Sequence, residues 1–295
     1  MVRYQINDLE QLTGIKAHTI RIWEKRYQLI NPHRTNTNIR YYDDDQAKRL
    51  MNVATLVNFG HKISRIAGMP TPQLNEMVEK LKSAPTDDVV NASFVTGLLT
   101  SMISFDEAAF EKMISAAVTR YGMYGAMVNV IYPFLVKVGI LWNVNESMPS
   151  QEHFATGIIR RKLMAATDGL PTPQNKEKTV LLFLPPDEWH EIGLLLSEYL
   201  VRSAGCNTIY LGQNVPFSNI REMLPHVKPS HLVTFFIMRK KKVDLPVEFT
   251  KLSKELGTAK LVVCGRAEML STLTPSPNLD LCSSTEMMVD YLKNL

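Results

Sequence analysis

The segment from Thr179 to the end of the chain alternates between two patterns, and this alternation constrains the fold more than any other sequence feature. Short apolar runs rich in β-branched and aromatic residues are separated by segments whose apolar residues recur at helical spacing. Such alternation predicts a parallel sheet with helices on both faces, which binds ligands beyond the carboxyl ends of its strands. The predicted strands are TVLLFL, NTIYL, HLVTFFI, KLVVC and one beginning at Asp280–Leu281, and the predicted helices are Ile192–Ala204, Phe217–His226 and Val247–Leu256.

The middle of the chain, residues 88–168, has the pattern of a helical bundle. A polar, proline-containing linker at residues 71–87 precedes it, and DGLPTPQNKEK separates it from the alternating region at residues 178–295. The predicted bundle helices, each with an apolar face, are Val89–Ser101, Phe105–Tyr121, Tyr124–Trp142 and Ser150–Thr167.

The N-terminal 70 residues have the pattern of a helix-turn-helix with a wing. The apolar spacing predicts a helix over Ile6–Leu12 that Asn7 caps and Gly14 ends. A second helix is predicted over about Ala17–Tyr27, and two short helices joined by a glycine-containing turn form a helix-turn-helix. The polar stretch at residues 32–42 predicts a small wing or hairpin.

Charge is unevenly divided along the chain. Residues 1–70 contain 11 Lys plus Arg and 6 Asp plus Glu, whereas the remainder contains 22 and 23. The whole positive excess therefore lies in the first quarter, which predicts that this quarter binds nucleic acid.

Composition excludes several other classes of protein. Hydrophobic residues make up 45%, no apolar run approaches the roughly 20 residues of a membrane-spanning helix, and the N-terminus lacks a signal pattern. We therefore expect a globular, soluble, cytoplasmic protein without a membrane partner. Three widely spaced cysteines, Cys206, Cys264 and Cys282, favour neither a disulfide framework nor a zinc cluster. No Ser-His-Asp set, glycine-rich phosphate loop or paired-carboxylate motif is found, and we do not expect the chain to be an enzyme.

Three motifs follow one another near the N-terminus: YQINDLEQLTGI, TIRIWEKRY and HRTNTNIRYYDDD. In this order they resemble the DNA-binding domain of MerR-type transcription regulators, in which the second helix enters the major groove and the wing follows the phosphates. Gln28 and Asn38 stand where the family usually carries Gly, and because Asn tolerates a left-handed conformation we expect an intact wing. The resemblance implies base contacts from Lys16, His18, Thr19 and Arg21, and backbone contacts from Arg26, Tyr27, Arg34, Arg40 and Tyr41.

The segment PPDEWHEIG directly follows the first predicted strand of the sheet. Its Glu188, His190 and Gly193 spell E-x-H-x-x-G, which resembles the D-x-H-x-x-G signature of cobalamin-binding domains. The resemblance implies that His190 is the lower axial ligand of cobalt, a metal that an imidazole nitrogen suits. A carboxylate two residues earlier orients neighbouring groups, and the glycine lets the corrin approach.

Two later positions depart from the same signature. Thr234 keeps the hydroxyl of the expected Ser-x-Leu, but Phe236 replaces the Leu, and Cys264-Gly265 stands where Gly-Gly is expected. The resemblance assigns cofactor contacts to Thr234 and Gly265, while a side chain at Cys264 would crowd the nucleotide tail and weaken binding. The basic run Arg239–Lys242 is interpreted as a solvated loop, with contact to that tail's phosphate or to a neighbouring subunit as alternatives.

In the bundle, Trp142 is followed after nine residues by Glu152-His153. This spacing resembles the cap over the upper cobalt face in light-sensing, adenosylcobalamin-binding regulators of the CarH and LitR type. The resemblance implies that Trp142 packs on the adenosyl group and that Glu152 and His153 close the pocket. Asn143 occupies the position at which the best-known photoreceptors carry a histidine that ligates cobalt after illumination.

Together these features predict a multidomain regulator: an all-α winged helix-turn-helix, a helical bundle, and a flavodoxin-like α/β cobalamin-binding domain. The hypothesis is a transcriptional repressor that binds operator DNA and whose self-association, as dimer or tetramer, depends on cobalamin. The finer expectation is that the cofactor is adenosylcobalamin and that light is the signal. One alternative is a MerR-type regulator whose degenerate sensor acts without cobalamin. The other is a cobalamin-dependent enzyme, which the lack of a substrate domain disfavours.

Overall fold

The computed structural model describes residues 3–81, 86–144, 149–173, 175–237, 243–274 and 276–295, apart from the side chains of residues 140–144 and 175–177. The chain divides into two compact units, Met1–Ile158 and Ile159–Leu295. None of the helices described is long and apolar enough to cross a bilayer.

The first unit contains a winged helix-turn-helix followed by a helical bundle, as the sequence predicts. Its elements are α1 (Ile6–Thr13), α2 (Ala17–Tyr27), β1 (His33–Arg34), β2 (Arg40–Tyr41), α3 (Asp44–Asn58), α4 (Ile63–Ile66), α5 (Thr71–Lys80), α6 (Asp87–Ile103), α7 (Glu107–Ala126), a π-helical turn (Met127–Ile131), α8 (Tyr132–Val144) and α9 (Pro149–Asp168), which continues into the second unit.

The start of α1 differs from the prediction that Asn7 caps this helix. The helix begins at Ile6, and its cap is Gln5, whose backbone N–H donates to the Asp8 carboxylate at 2.6 Å. The Gln5 side chain accepts in return from the backbone of Asp8, so the two residues form a capping box. Gly14 ends the helix in the left-handed conformation, with φ of 72°, as predicted.

The bundle helices break at a glycine. The sequence predicts that one helix ends at Tyr121 and the next begins at Tyr124, and Gly122 between them has a φ of 70° and a ψ of 171°. A β-carbon disfavours that conformation, so the helical path is interrupted there. The helix then continues through the π-helical turn into α8.

The helix-turn-helix packs against the bundle within the first unit, with α3 against α6 and α1 against α8. The hydroxyls of Thr55 on α3 and Thr96 on α6 hydrogen-bond at 2.8 Å, and both residues are buried. The Nζ of Lys137 on α8 donates to the Leu12 carbonyl at the end of α1, at 3.3 Å. Burial lowers the pKa of Lys137. The segments predicted as DNA-binding domain and bundle therefore pack as a continuous body.

The second unit is a five-stranded, wholly parallel sheet with helices on both faces, as predicted. The order β4-β3-β5-β6-β7 is that of flavodoxin-like folds. An apolar core joins the sheet to α11 and α12, while α10 and α14 pack together on the other face. The elements are β3 (Asn175–Phe183), α10 (Ile192–Ser203), β4 (Cys206–Gly212), α11 (Phe217–Val227), β5 (His231–Phe236), α12 (Leu245–Glu255), β6 (Lys260–Gly265), α13 (Ala267–Leu270), β7 (Leu279–Cys282) and α14 (Thr285–Lys293).

The strand order places the PPDEWHEIG loop at a defined position. After β3 the chain forms β4 on one side of β3, and then returns to form β5 on the other side. The loops that follow β3 and β5 therefore diverge from one another at the carboxyl edge. This reversal is the switch point at which open α/β sheets bind ligands.

Candidate functional site

The predicted DNA contacts lie on the accessible surface of the helix-turn-helix. Ile20 and Trp23 on the inner face of α2 are buried, so the opposite face is presented to solvent. Lys16 forms an ion pair with Glu10 at 3.0 Å, which ties that cation to α1. The nine predicted contact residues, all exposed or partly exposed, are Lys16, His18, Thr19, Arg21, Arg26, Tyr27, Arg34, Arg40 and Tyr41.

The wing is closed by an asparagine in the left-handed conformation. Asn38 has a φ of 64°, which confirms the expectation that it replaces the usual glycine without loss of the turn. Its side-chain oxygen accepts from Arg34 Nη1 at 2.6 Å. The rings of His33 and Tyr41 stack across the two strands, with centroids 5.3 Å apart. These contacts order a wing that carries Arg34 and Arg40.

A buried tyrosine pair holds the wing against the two helices. The backbones of Tyr4 and Tyr42 exchange hydrogen bonds of 2.9 and 2.8 Å, and both side chains are fully buried. The Tyr42 hydroxyl donates to the Glu24 carboxylate on α2, and burial together with Glu24 raises the pKa of Tyr42. Because Tyr42 directly follows Tyr41, this bond fixes the wing relative to α2.

The loop between β3 and α10 is fixed to the end of β4. The backbone N–H of Asp187 donates to the Asn214 side chain at 2.9 Å, and Gln213 Nε2 donates to the Trp189 carbonyl at 2.8 Å. Asp187 and Asn214 both have positive φ, so each side of the contact is a tight turn. The backbone on either side of Glu188 is therefore held in place.

Glu188, which the sequence motif predicts to orient neighbouring groups, contacts His190. Glu188 is fully buried, and its Oε1 accepts from the backbone N–H groups of Trp189 and His190 at 2.9 and 3.1 Å. The same oxygen lies 2.5 Å from His190 Nδ1. A ring that donates from Nδ1 to a carboxylate carries its lone pair on Nε2, the nitrogen through which such a histidine binds a metal. The His190 side chain is 43% exposed and so accessible to a ligand.

Glu191, which directly follows His190, is a second buried carboxylate. The sequence patterns did not indicate its partners. Glu191 accepts from the Tyr210 hydroxyl at 2.8 Å, and its other oxygen lies 2.6 Å from Arg160 Nη2 on α9. Burial and Glu191 raise the pKa of Tyr210. Since the three residues are far apart in sequence, only the fold brings them together. This network anchors the residue after His190 to α9 and β4.

Gly193 on α10 packs against the ring of Phe235, the residue that follows Thr234 on β5. A β-carbon on Gly193 would lie 2.6 Å from the Phe235 ring, so a glycine is needed here for packing. Thr234 is fully buried, and its hydroxyl makes no hydrogen bond within the described part of the chain. Leaving a buried hydroxyl unpaired costs about 1–3 kcal/mol. An inserted polar group, such as a nucleotide base, would satisfy it.

Gly265 and Cys264 lie at the end of β6. A β-carbon on Gly265 would come within 2.4 Å of the Phe236 carbonyl, so the close approach of β5 requires glycine. Cys264 pairs with Cys282 across β6 and β7, and the hydrogen bond between the two thiols and burial raise the pKa of Cys264. The thiol of Cys264 is thus in contact with β7. Crowding of a nucleotide tail by this side chain stays a prediction.

The predicted cap residues lie on two helices of the bundle. Trp142 and Asn143 belong to the last turn of α8, and their side chains lie outside the described residues, as does the basic run at 239–242. Glu152 and His153 occupy the first turn of α9, with Glu152 Oε2 and His153 Nδ1 3.7 Å apart. The His153 side chain is 77% exposed. Their role in a pocket stays a prediction.

The residues predicted to hold cobalamin have donor chemistry that suits it. His190 offers an oriented imidazole nitrogen at the switch point, and Thr234 offers a buried hydroxyl that has no hydrogen-bond partner among the described residues.

Comparison with known proteins finds a match for the helix-turn-helix segment and another for the bundle segment. Residues 4–70 match the family described as MerR HTH family regulatory protein, and residues 95–166 match the B12 binding domain. The chain is 26% identical over 268 residues to the HTH-type transcriptional repressor CarH of Myxococcus xanthus, covering 90% of this chain and 89% of that protein. It is 23% identical over 253 residues to the repressor CarA of the same organism, covering 85% and 81%.

A solved structure supports the fold. The monomethylamine corrinoid protein of Methanosarcina barkeri superposes with a TM-score of 0.50 at 14% identity, covering 66% of this chain and 95% of that chain. At this identity the likeness concerns the arrangement of helices and strands alone.

Proposed function

We propose that this chain, a MerR-type transcription regulator with a cobalamin-binding domain, represses transcription by binding operator DNA under the control of cobalamin. The observation that carries the proposal is the His190 imidazole, held by the buried Glu188 at the switch point of the sheet. The exposed basic surface of α2 and the wing supplies the DNA-binding half.

His190 would hold the cobalt through Nε2, with Glu188 fixing the ring. Gly193 and Gly265 would leave bare backbone where the cofactor approaches, and the Thr234 hydroxyl would pair with the nucleotide tail. Bound adenosylcobalamin would supply a carbon–cobalt bond that light breaks. The chain's own residues hold, orient and shield that group.

The finer proposal is that adenosylcobalamin is the form bound and that Trp142, Glu152 and His153 cover its upper face. It rests on the W-x9-E-H spacing and on the similarity to CarH. Loss of the adenosyl contacts would then alter bundle packing, and through it the association of subunits. Paired helix-turn-helix units bind half-sites about one helical turn apart, so association would set DNA affinity.

The test of the function combines cofactor retention with DNA binding. Protein incubated in the dark with adenosylcobalamin is freed of excess cofactor by gel filtration, and its visible spectrum and DNA affinity are measured over a salt series. We expect wild type to retain cobalamin and His190→Ala to lose it. His226→Ala is the matched control, because His226 is exposed in the same unit at the C-terminal end of α11.

Each outcome separates the hypotheses. Equal cobalamin retention by wild type and His190→Ala would contradict the ligand assignment. DNA binding without retained cobalamin would favour the regulator that senses without the cofactor. Binding to DNA that cobalamin leaves unchanged would refute the proposed control, and failure to bind DNA would favour the enzyme hypothesis.

Light sensitivity has a separate test because of Asn143. An amide is a poorer cobalt ligand than imidazole, so Asn143 would supply no replacement ligand when illumination removes the adenosyl group. We expect Asn143→His to acquire a two-histidine spectrum in the light that the wild type lacks. A two-histidine spectrum of the illuminated wild type that survives His153→Ala would contradict this account.

A further inference from the structure

The outward face of α2 has an isoleucine at its centre. Ile22 is 52% exposed, although the two other large apolar residues of the first two turns, Ile20 and Trp23, are buried. At 100° per residue, Ile22 lies about 160° from Ile20 around the helix axis. It therefore points away from the domain core.

The helical neighbours of Ile22 are all polar, and all but Lys25 are among the predicted DNA contacts. Residues three and four positions away on a helix surround a central side chain, and here these are His18, Thr19, Lys25 and Arg26. All four are exposed or partly exposed. Arg26 lies over the Tyr27 ring at 5.4 Å, which places its guanidinium to one side of the face. An apolar side chain is thus framed by hydrogen-bond donors.

The major groove offers one apolar feature to a protein, the 5-methyl group of thymine. Phosphates and the edges of guanine, adenine and cytosine are read by polar or charged groups. The hydrogen-bond donors around Ile22 suit phosphates and polar base edges. The side chain of Ile22 is apolar, so the thymine methyl group is the major-groove feature that it can contact favourably. We propose that Ile22 contacts a thymine methyl and so determines base specificity at one position of each half-site. The inference rests on the proposed DNA-binding function.

The test removes the methyl group from the DNA and the isoleucine from the protein separately. A high-affinity duplex is selected from a random pool with the full-length protein. Each thymine is then replaced singly by deoxyuridine, which lacks only the methyl. Burial of one methyl corresponds to about fourfold in affinity. We expect one replacement per half-site to weaken wild-type binding by about that factor, and the same replacement to leave the affinity of Ile22→Ala unchanged.

Two variants serve as controls. Ile22→Val keeps a branched apolar side chain and should retain part of the dependence on the methyl group. Ile39→Ala removes a second exposed isoleucine, 57% exposed on the wing rather than on α2, and should keep the full dependence. Since both positions are at the surface, circular dichroism should show every variant folded as wild type.

The possible results are distinct. Sequence-specific binding in which no thymine methyl matters, or in which Ile22→Ala shows the same dependence as wild type, would overturn the inference and leave the DNA-binding function intact. The same holds if Ile22→Ala changes only the oligomeric state, because the isoleucine would then contact another protein subunit. Failure of wild type to bind any duplex specifically would refute the proposed function and the inference with it.

Discussion

Replacing Glu188 by Gln should weaken cobalamin binding without unfolding the sensor. The buried carboxylate accepts from two backbone N–H groups and faces His190 Nδ1 at 2.5 Å through the same oxygen. An amide oxygen can still accept from the backbone groups, so the loop should keep its shape. What is lost is the negative charge that strengthens the bond to the ring, because hydrogen bonds to ionised groups are roughly twice as strong as neutral ones.

The size of the effect follows from the position of Glu188 behind the metal-binding residue. Removing such a partner costs about 10–100-fold in metal affinity, which corresponds to roughly 1.4–2.7 kcal/mol. Spectrophotometric titration with adenosylcobalamin in the dark would measure the change in Kd. Thermal unfolding of the cofactor-free protein would show whether Glu188→Gln also destabilises the fold.

A double-mutant cycle with His190→Ala tests the reasoning itself. If Glu188 acts by orienting the imidazole, Glu188→Gln should have no further effect on Kd once His190 is absent. An equal loss in both backgrounds would mean that Glu188 influences the site through the loop backbone instead. An unchanged Kd in the single variant would refute the orienting role altogether.

Other perturbations test further parts of the structure. Arg40→Ala should weaken binding to all DNA sequences and reduce the slope of log K against log salt by about 0.9, measured by fluorescence anisotropy over a salt series. Gly193→Ala should lower the free energy of unfolding by about 1–3 kcal/mol through collision with the Phe235 ring, and Phe235→Leu should restore part of it in thermal melts. Arg221→Met should cost less than about 1 kcal/mol at neutral pH. The Arg221 hydrogen bond lowers the pKa of Glu248, so this difference should be full above the ordinary value of about 4.5 and decline in denaturant titrations as the pH falls below it.

The order of helices and strands could be predicted from sequence because local patterns determine it. Gly122 marks the break in the bundle, and Asn38 turns the wing in the left-handed conformation, each through its own backbone preference. The cap of α1 was misassigned because Asn7 has the right residue type, whereas the capping box formed by Gln5 and Asp8 requires two side chains to bond reciprocally.

In the candidate site, contacts between neighbouring residues could likewise be inferred from the sequence, whereas contacts between distant segments could not. Glu188 and His190 are two residues apart, so the motif implied their contact directly. The bonds of Glu191 to Arg160 and Tyr210 join three distant segments, and no spacing rule relates them. The predicted DNA contacts do not include Ile22, because an excess of positive charge indicates only the basic residues around it. The available signal was an apolar residue that lies off the buried stripe of an amphipathic helix.

The hydrogen bonds between the helix-turn-helix and the bundle have a consequence for how such proteins can be recombined. If residues 1–81 were exchanged for another DNA-binding domain, the Thr96 hydroxyl and the Lys137 ammonium would lose the partners they have in Thr55 and Leu12. A buried polar group left without a partner costs about 1–3 kcal/mol, and a charged one more. Chimaeras joined after residue 81 should therefore need compensating changes at Thr96 and Lys137. Natural recombination of domains would favour exchanging the helix-turn-helix and the bundle together, because these hydrogen bonds are then kept.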